Sequence, residues 1–567
     1  MPTFSPEEIF LDPALHGNGA PPIADAAATS VHKGFVEVDG LRLHYVRRGR
    51  GPAIVMLHAS PCSAKVMAPL QSLWGDEFTT IAFDLPGFGL SQPPETGEIT
   101  IPRLADIIAA GMRALGLANA ALYGRHTGAS VCLEIALRCP DLAAMLLTDG
   151  LPVFAAPYTE ERLREYLPPI ETRWDGGHLT WAFFRYREQH MFWPWNSADL
   201  THRADTDLPD IDFLHRGTVE LLEAASTYAR VYRSAFLHET LPRIGELCIP
   251  AYFGNRPGDS QYKTIPRYPP GAAVHVMPRD HDLAALEELA LLRRHPASST
   301  APPHISRFAQ RPLPDRLRDY ITTRHGDVGA IGCGLAKPGV PLLYLHDIPG
   351  GISLHEAEIT TLSQARPVVA IELAGNGESD ARQAPDIQVW LDQIADVLAL
   401  LGWSVIEVYA HGTSAALALA LAARHPACVS GIVLRSPPIL DAGARQRLVT
   451  RYAPDISPSE DGSYLLRLWH HLRDQELWWP WFERTHEARK ATEPRIDPDL
   501  LHRKAVTLLK QPRLYAALWQ EVLSHDLPAA LGRASVPVQI VVEPTDTFAG
   551  IAAHHMACRT QGAGTSG

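Results

Sequence analysis

The sequence is short of cysteine, of long apolar runs and of excess positive charge, and each shortage removes a class of protein. Seven cysteines in 567 residues, odd in number and without a C-x-x-C pair, support neither a disulfide framework nor a zinc site. No window of 18 uncharged apolar residues occurs, so no membrane span is expected. Lys and Arg number 51 against 63 Asp and Glu, a formal charge of −12, and the basic footprint of a nucleic-acid or anionic-membrane binder is missing. The opening MPTFSPEEIFLDPALHG has neither the basic start nor the apolar run of a secretory signal. The expected setting is therefore the cytoplasm and the expected partner a small molecule, with room for a homo-oligomer and no need for a metal or organic cofactor.

What is present is a strongly patterned α/β chain. Residues 1–33, rich in Pro, Ala and Gly, read as a loose tail. Phe35–Val46 alternates apolar and polar residues around Asp39-Gly40, a hairpin signal. Ala53–Leu57, Thr80–Phe83, Ala120–Tyr123 and Ala144–Leu147 are short apolar runs, as parallel strands buried on both faces require. The segment ALYGRHTGA, Ala121–Ala129, runs from strand into a small-residue helix with Gly124, His126 and Gly128 at alternate positions. A strained turn of this form lifts one side chain to the top of a parallel sheet, and here that side chain is an imidazole.

Three motifs follow strand ends in order: His58-Ala59-Ser60-Pro61, the run Asp84-Leu85-Pro86-Gly87-Phe88-Gly89-Leu90-Ser91, and the G-x-H-x-G turn. Together they resemble the α/β-hydrolase superfamily, in particular its epoxide-hydrolase and haloalkane-dehalogenase branch. The resemblance implies a mostly parallel sheet flanked by helices, with a helical cap at about 154–238 over the active site. It further implies oxyanion donors at the backbone of Ala59 and Thr127, an acid at Asp259 with Asp149 as the alternative, and a catalytic histidine at His281. Trp181, Trp193, Trp195 and Tyr228 of the cap, with His58, are the candidates to line the substrate pocket, packing of the cap on the sheet being the favoured role for most of the rings. For His58 itself, a loop residue held by a backbone hydrogen bond is favoured over direct chemistry, and Asp84 reads as a carboxylate that organises its loop.

Histidine at the elbow leaves three roles open: nucleophile, general base or bystander. A neutral imidazole is a competent base near pH 7, which favours the second. The expected activity is hydrolysis of an ester, a lactone or a carbon–carbon bond beside a carbonyl, with His126 and His281 handling protons and Asp259 orienting. A lyase or isomerase acting on a carbon acid, and a non-catalytic ligand-binding or scaffold protein, are the alternatives.

The same grammar then returns. His58 and His346 are 288 residues apart, as are Asp84 and Glu372, while Tyr123 and Tyr409 are 286 apart. A nearly constant offset marks an internal duplication. It predicts domains at 34–294 and 317–567, joined by a Pro- and Ser-containing linker at 295–316, the second with a cap at about 440–526. In the second copy Gly412 falls where His126 stands, Asp546 takes the acid position, and no histidine follows at the spacing of His281. A shifted reading makes Ser414 a nucleophile. The unshifted one makes the second copy a degenerate, non-catalytic half.

Overall fold

The computed structural model describes residues 31–298, 300–381 and 383–563. Of the expected tail, residues 1–30 lie outside that range, whereas Val31–Lys33 already form strand. That strand, β1 (Val31–Val38), pairs antiparallel with β2 (Leu41–Arg48), from Val31 opposite Arg48 to Val38 opposite Leu41. Asp39 and Gly40 between them both have positive φ, 49° and 80°, a turn whose twist matches that of the strands it joins.

The first sheet continues with β3 (Ala53–Leu57), β4 (Thr79–Phe83), β5 (Ala120–Arg125), β6 (Ala143–Asp149), β7 (Ala251–Asn255) and β8 (Val274–Val276), in the order β1-β2-β4-β3-β5-β6-β7-β8. β2 is antiparallel to β4, and every pair beyond it is parallel. All five residues of β3 and of β4 are buried, which is why both read as unbroken apolar runs. On one face Met56, Tyr123 and Leu147 pack with Trp74, Leu289 and Leu292. Burying each such side chain contributes about 1.5–3 kcal/mol. Parallel strands bring their following loops to one edge of the sheet, where ligands of open α/β sheets bind.

Between β6 and β7 lie the helices Glu160–Tyr166, Gly177–Glu188, Ile211–Glu223 and Tyr228–Leu237, in the stretch expected to form the cap. Hydrogen bonds tie it to the sheet loops: Ser63 donates Oγ to Glu220 Oε1 at 2.8 Å and its N–H to Oε2 at 3.1 Å, and Thr227 Oγ1 donates to the Gly87 carbonyl at 2.6 Å.

A second sheet comprises β9 (Arg316–Thr323), β10 (Gly326–Cys333), β11 (Leu342–Leu345), β12 (Val368–Ile371), β13 (Ile406–His411), β14 (Val429–Arg435) and β15 (Val538–Val541). Its order, β9-β10-β12-β11-β13-β14-β15, repeats the first seven positions of the first sheet. The chain divides into two compact units: one runs to Glu171 and from Trp181 to His304, the other comprises Thr172–Thr180 and Ile305 onward. The boundary between His304 and Ile305 falls inside the stretch 295–316, and β9 begins at Arg316, the last residue of that stretch.

Candidate active site

The first unit builds its site on a single strained residue. β5 ends at Arg125 and the next helix starts at Thr127, so His126 alone makes the turn, with φ 46° and ψ −112°. For an L residue this backbone costs about 1–3 kcal/mol. The surroundings hold it: the His126 N–H donates to the Asp149 carbonyl at 3.1 Å, and the N–H groups of Ala129 and Ser130 donate to the His126 carbonyl at 2.9 and 3.2 Å. Beneath it, a Cβ at Gly128 would lie 2.2 Å from the Leu57 carbonyl oxygen, so only glycine lets the helix sit this close. His126→Gly should be more stable than His126→Ala by about 1 kcal/mol, because a Cβ is penalised at this positive φ and glycine has none. Urea melts of both variants check this, and the ordinary ranking, alanine above glycine, would remove the strain argument.

Asp259, in the loop after β7, places Oδ2 at 2.9 Å from His126 Nε2 and accepts the Gln261 N–H on Oδ1 at 2.7 Å. The two side chains are 33% and 24% exposed. Burial pulls the imidazole pKa down, but the charge and hydrogen bond of Asp259, with Asp149 behind, outweigh it and leave the pKa above its ordinary value. Burial alone would raise Asp259, yet the His126 partner holds it below the usual carboxylate range. Since Asp259 occupies Nε2, the second ring nitrogen, Nδ1, is the one left to exchange a proton with a substrate. Gly150 adjoins the pair: a Cβ there would stand 3.1 Å from His126 Nε2 and 3.3 Å from Asp259 Oδ1.

The expected arrangement, Asp259 orienting His281, is not what the structure holds. His281 opens the helix His281–Leu292 as an exposed residue, and Arg256 Nη1 donates to its Nδ1 at 2.7 Å. Burial of its ring and the Arg256 charge push its pKa down. A guanidinium occupies the place a carboxylate would need, so the carboxylate pairs with the elbow imidazole instead. Asp149, the alternative acid, is also spoken for. Its Oδ2 accepts Arg125 Nε at 2.7 Å and Arg256 Nη2, and against the burial that would raise its pKa these guanidinium charges hold it far down. Arg256 reaches Glu288 Oε1 at 3.4 Å as well, and the Tyr123 hydroxyl donates to that oxygen at 3.2 Å. Burial and the Asp149 charge push the Glu288 carboxyl well above its ordinary range. This buried network under the elbow left no mark in the sequence, because Arg125, Asp149, Arg256 and Glu288 belong to no common motif.

The expected oxyanion donors meet the elbow through one link, the Gly128 N–H donating to the His58 carbonyl at 3.1 Å. Among the described residues neither the Ala59 nor the Thr127 backbone N–H makes a hydrogen bond. His58 does not line a pocket: it is fully buried, its Nε2 accepts the Leu85 N–H at 2.9 Å, and Nδ1 donates to the Ala59 carbonyl at 2.8 Å. Asp84 organises its loop, accepting His44 Nδ1 and the N–H groups of Ala64 and Leu90 at 2.7–2.8 Å. Tyr228 is likewise not available to a substrate, for it is fully buried and its hydroxyl donates to the Pro168 carbonyl. Trp195 donates Nε1 to the Tyr166 carbonyl at 2.9 Å and lies under Arg185, while Trp181 meets Trp195 edge-on and Trp193 meets Tyr166. These contacts knit the segment between β6 and β7 together around Tyr166.

In the second unit the turn after β13 is Gly412, φ 52°, in the register expected from Tyr409. Ser414 is fully buried and its Oγ donates to the carbonyls of His411 and Leu345 at 2.8 and 3.1 Å, so the shifted reading with a serine nucleophile fails. Asp546 pairs with the guanidinium of Arg435, Nε to Oδ2 at 2.8 Å and Nη2 to Oδ1 at 2.9 Å. What the sequence reading missed is His411, one residue before the turn, with Nδ1 2.5 Å from Asp347 Oδ1.

Residues 52–265 match the family described as the alpha/beta hydrolase fold. A 2-(acetamidomethylene)succinate hydrolase of Mesorhizobium japonicum is 32% identical over 154 residues, 27% of this chain and 52% of the relative. A pimeloyl-[acyl-carrier protein] methyl ester esterase of a Shewanella species is 36% identical over 129 residues, 23% of this chain and 45% of that protein. The rat bifunctional epoxide hydrolase 2 is 31% identical over 139 residues, 24% of this chain and 25% of that protein. The chain thus spans about half, or less, of the length of these curated relatives. With the family match and the order of the strands β3 to β7 that lie within it, residues 52–265 have the α/β-hydrolase fold.

Proposed function

We propose that the first unit hydrolyses a small, largely apolar carbonyl compound, an ester, a lactone or a carbon–carbon bond beside a carbonyl, by general-base catalysis. The observation that carries this reading is the His126–Asp259 pair, 2.9 Å apart, mounted on an elbow whose backbone is strained to present it. Asp259 accepts the Nε2–H and so fixes the tautomer in which Nδ1 is basic. Nδ1 takes a proton from water as the water oxygen attacks the carbonyl carbon. The charge developing on the carbonyl oxygen meets the N–H groups of Thr127 and Ala59. The bond to the leaving group then breaks, the proton passes from Nδ1 to that group, and an acid and an alcohol (or a carbon acid) depart. The relatives, named as hydrolases and an esterase, support the same class of reaction. In the second unit Gly412 offers no side chain at the elbow, and we place the activity in the first.

The test is turnover of aryl and alkyl esters, lactones and β-diketones by the intact protein in water enriched in oxygen-18. Incorporation of one labelled oxygen into the acid product is the expected result. Product formed without label would move the protein to lyase chemistry, and binding of apolar ligands without any turnover would end the enzyme reading.

A further inference from the structure

The carboxyl edge of the second sheet gathers a set of donors that has no part in the proposed reaction. His355 immediately precedes the helix Glu356–Leu362, and Glu358 lies in its first turn, three residues on, which turns both toward the same side. His411 ends β13. One donor atom from each of the three lies within 4.8 Å of the others, and the two imidazole centroids are 4.7 Å apart. In the first unit the corresponding positions, by the same offsets, hold Met67, Leu70 and Arg125. Two apolar residues and a cation have thus been exchanged for three metal-ligating types, so the cluster is not a remnant of the hydrolase machinery.

Charge and orphaned atoms point the same way. Glu358 and Asp546 both pair with the guanidinium of Arg435, and Asp347 stands beside His411, so that three carboxylates face one guanidinium among these residues and two negative charges are left when the imidazoles are neutral. Glu358 is already positioned: Tyr344 donates to Oε2 at 2.7 Å, and Tyr409 and Arg435 donate to Oε1 at 2.7 and 2.5 Å. Three of its about four lone-pair sites are taken, and one on Oε2 is left. The His411 ring, nine-tenths buried, holds Nδ1 at 2.5 Å from Asp347 Oδ1, out of line for a hydrogen bond, and both atoms are buried without a hydrogen-bond partner. Asp347 is 42% exposed and gives the cluster a route from solvent.

From this we infer that the second unit binds one divalent transition-metal ion through His355, Glu358 and His411. Two imidazoles and a carboxylate are a borderline donor set, suited to Zn²⁺, Fe²⁺, Co²⁺ or Ni²⁺ and poorly to Mg²⁺ or Ca²⁺, which prefer oxygen. Three atoms 4.8 Å apart have a common centre about 2.8 Å from each, against ~2.1 Å for a zinc–imidazole bond, a gap that small side-chain rotations close. With His411 bound through Nε2, a turn of the ring that brings Nδ1–H into line would let Asp347 Oδ1, 2.5 Å away, accept it, the role of a carboxylate that orients a metal-bound imidazole. The inference does not depend on hydrolysis in the first unit.

The intact protein, stripped with a chelator and dialysed, is titrated with Co²⁺ alone and followed by its visible absorption, then back-titrated with Zn²⁺ by calorimetry. The expected result is one Co²⁺ per chain with ligand-field bands, displaced by Zn²⁺. His355→Ala and Glu358→Gln should each weaken binding at least about tenfold, while His126→Ala, in the other unit, should leave it unchanged. If His355→Ala does not fold by circular dichroism, His355→Asn, which suits a helix N-cap, is read in its place. A cobalt spectrum without ligand-field bands, or binding that the His355 and Glu358 variants leave intact, overturns the inference.

Discussion

His126→Ala is expected to lower kcat/KM by about 10²–10⁴-fold on whichever ester or lactone the protein turns over, the usual contribution of a positioned general base. The pH profile distinguishes this from a packing defect. The base works in its neutral form, and the pKa of His126 lies above its ordinary 6.5 because Asp259 favours the imidazolium. The acid limb of kcat/KM should therefore sit above 6.5. Asp259→Asn removes the charge that raises it while burial, which lowers it, stays, so the limb should move downward. A limb that stays in place in Asp259→Asn would mean that another group controls the rate. Stability carries the opposite sign for the two partners. The raised pKa of His126 contributes stability that is complete below the unfolded value and disappears as pH rises through the folded one. The lowered pKa of Asp259 contributes stability present above its unfolded value and lost as pH falls through the folded one.

Arg256→Met should destabilise the first unit by about 3–5 kcal/mol, the cost of stripping the partner from a buried ionic group. Arg256 is 6% exposed and contacts Asp149, Glu288 and His281 at once. Without it Asp149 keeps Arg125, and Glu288 keeps the Tyr123 hydroxyl. The Asp149 backbone also holds the His126 N–H, so the elbow should loosen and activity should fall with stability. Urea unfolding followed through the tryptophans measures the loss. Adding Glu288→Leu to Arg256→Met should recover part of it, since a buried charge without a partner costs more than an apolar replacement. No recovery in the double variant would show that Arg256 acts through packing of its stem.

How much of this was legible without coordinates follows from the range of each interaction. The Asp39-Gly40 turn, the buried runs of β3 and β4, and the elbow at His126 could be read because glycine placement and the period of burial are local properties of a few consecutive residues. The constant offset was equally plain, since an offset survives divergence of the residues between its anchors, and the second sheet has the strand order of the first seven positions of the first. The first strands of the two sheets start at Val31 and Arg316, within a few residues of where the sequence places the start of structure, because a strand extends as far as its neighbour offers a ladder, and that neighbour is elsewhere in the sequence.

Partnership was not legible. Asp259 was expected beside His281 and sits beside His126, 133 positions away, because Arg256 takes the other ring first; whether a guanidinium reaches a nitrogen depends on the course of the loop after β7 and on rotamers that no spacing encodes. Tyr228 was expected in a pocket, and the Pro168 carbonyl claims it, since a buried polar atom without a partner is costly and the nearest carbonyl or N–H takes it; His58, read above all as a loop residue held by a backbone hydrogen bond, is held in that way by Leu85 and Ala59. His355, Glu358 and His411 form no motif, being 53 residues apart at the closest between helix and strand, and meet only because β11 and β13 are neighbours in the sheet. By itself, then, the sequence determined the elements, their order and the strained elbow, all products of short-range sterics and burial period. Tertiary structure alone decided which acid holds which imidazole, because hydrogen bonds and charge pairs are settled by distance in space.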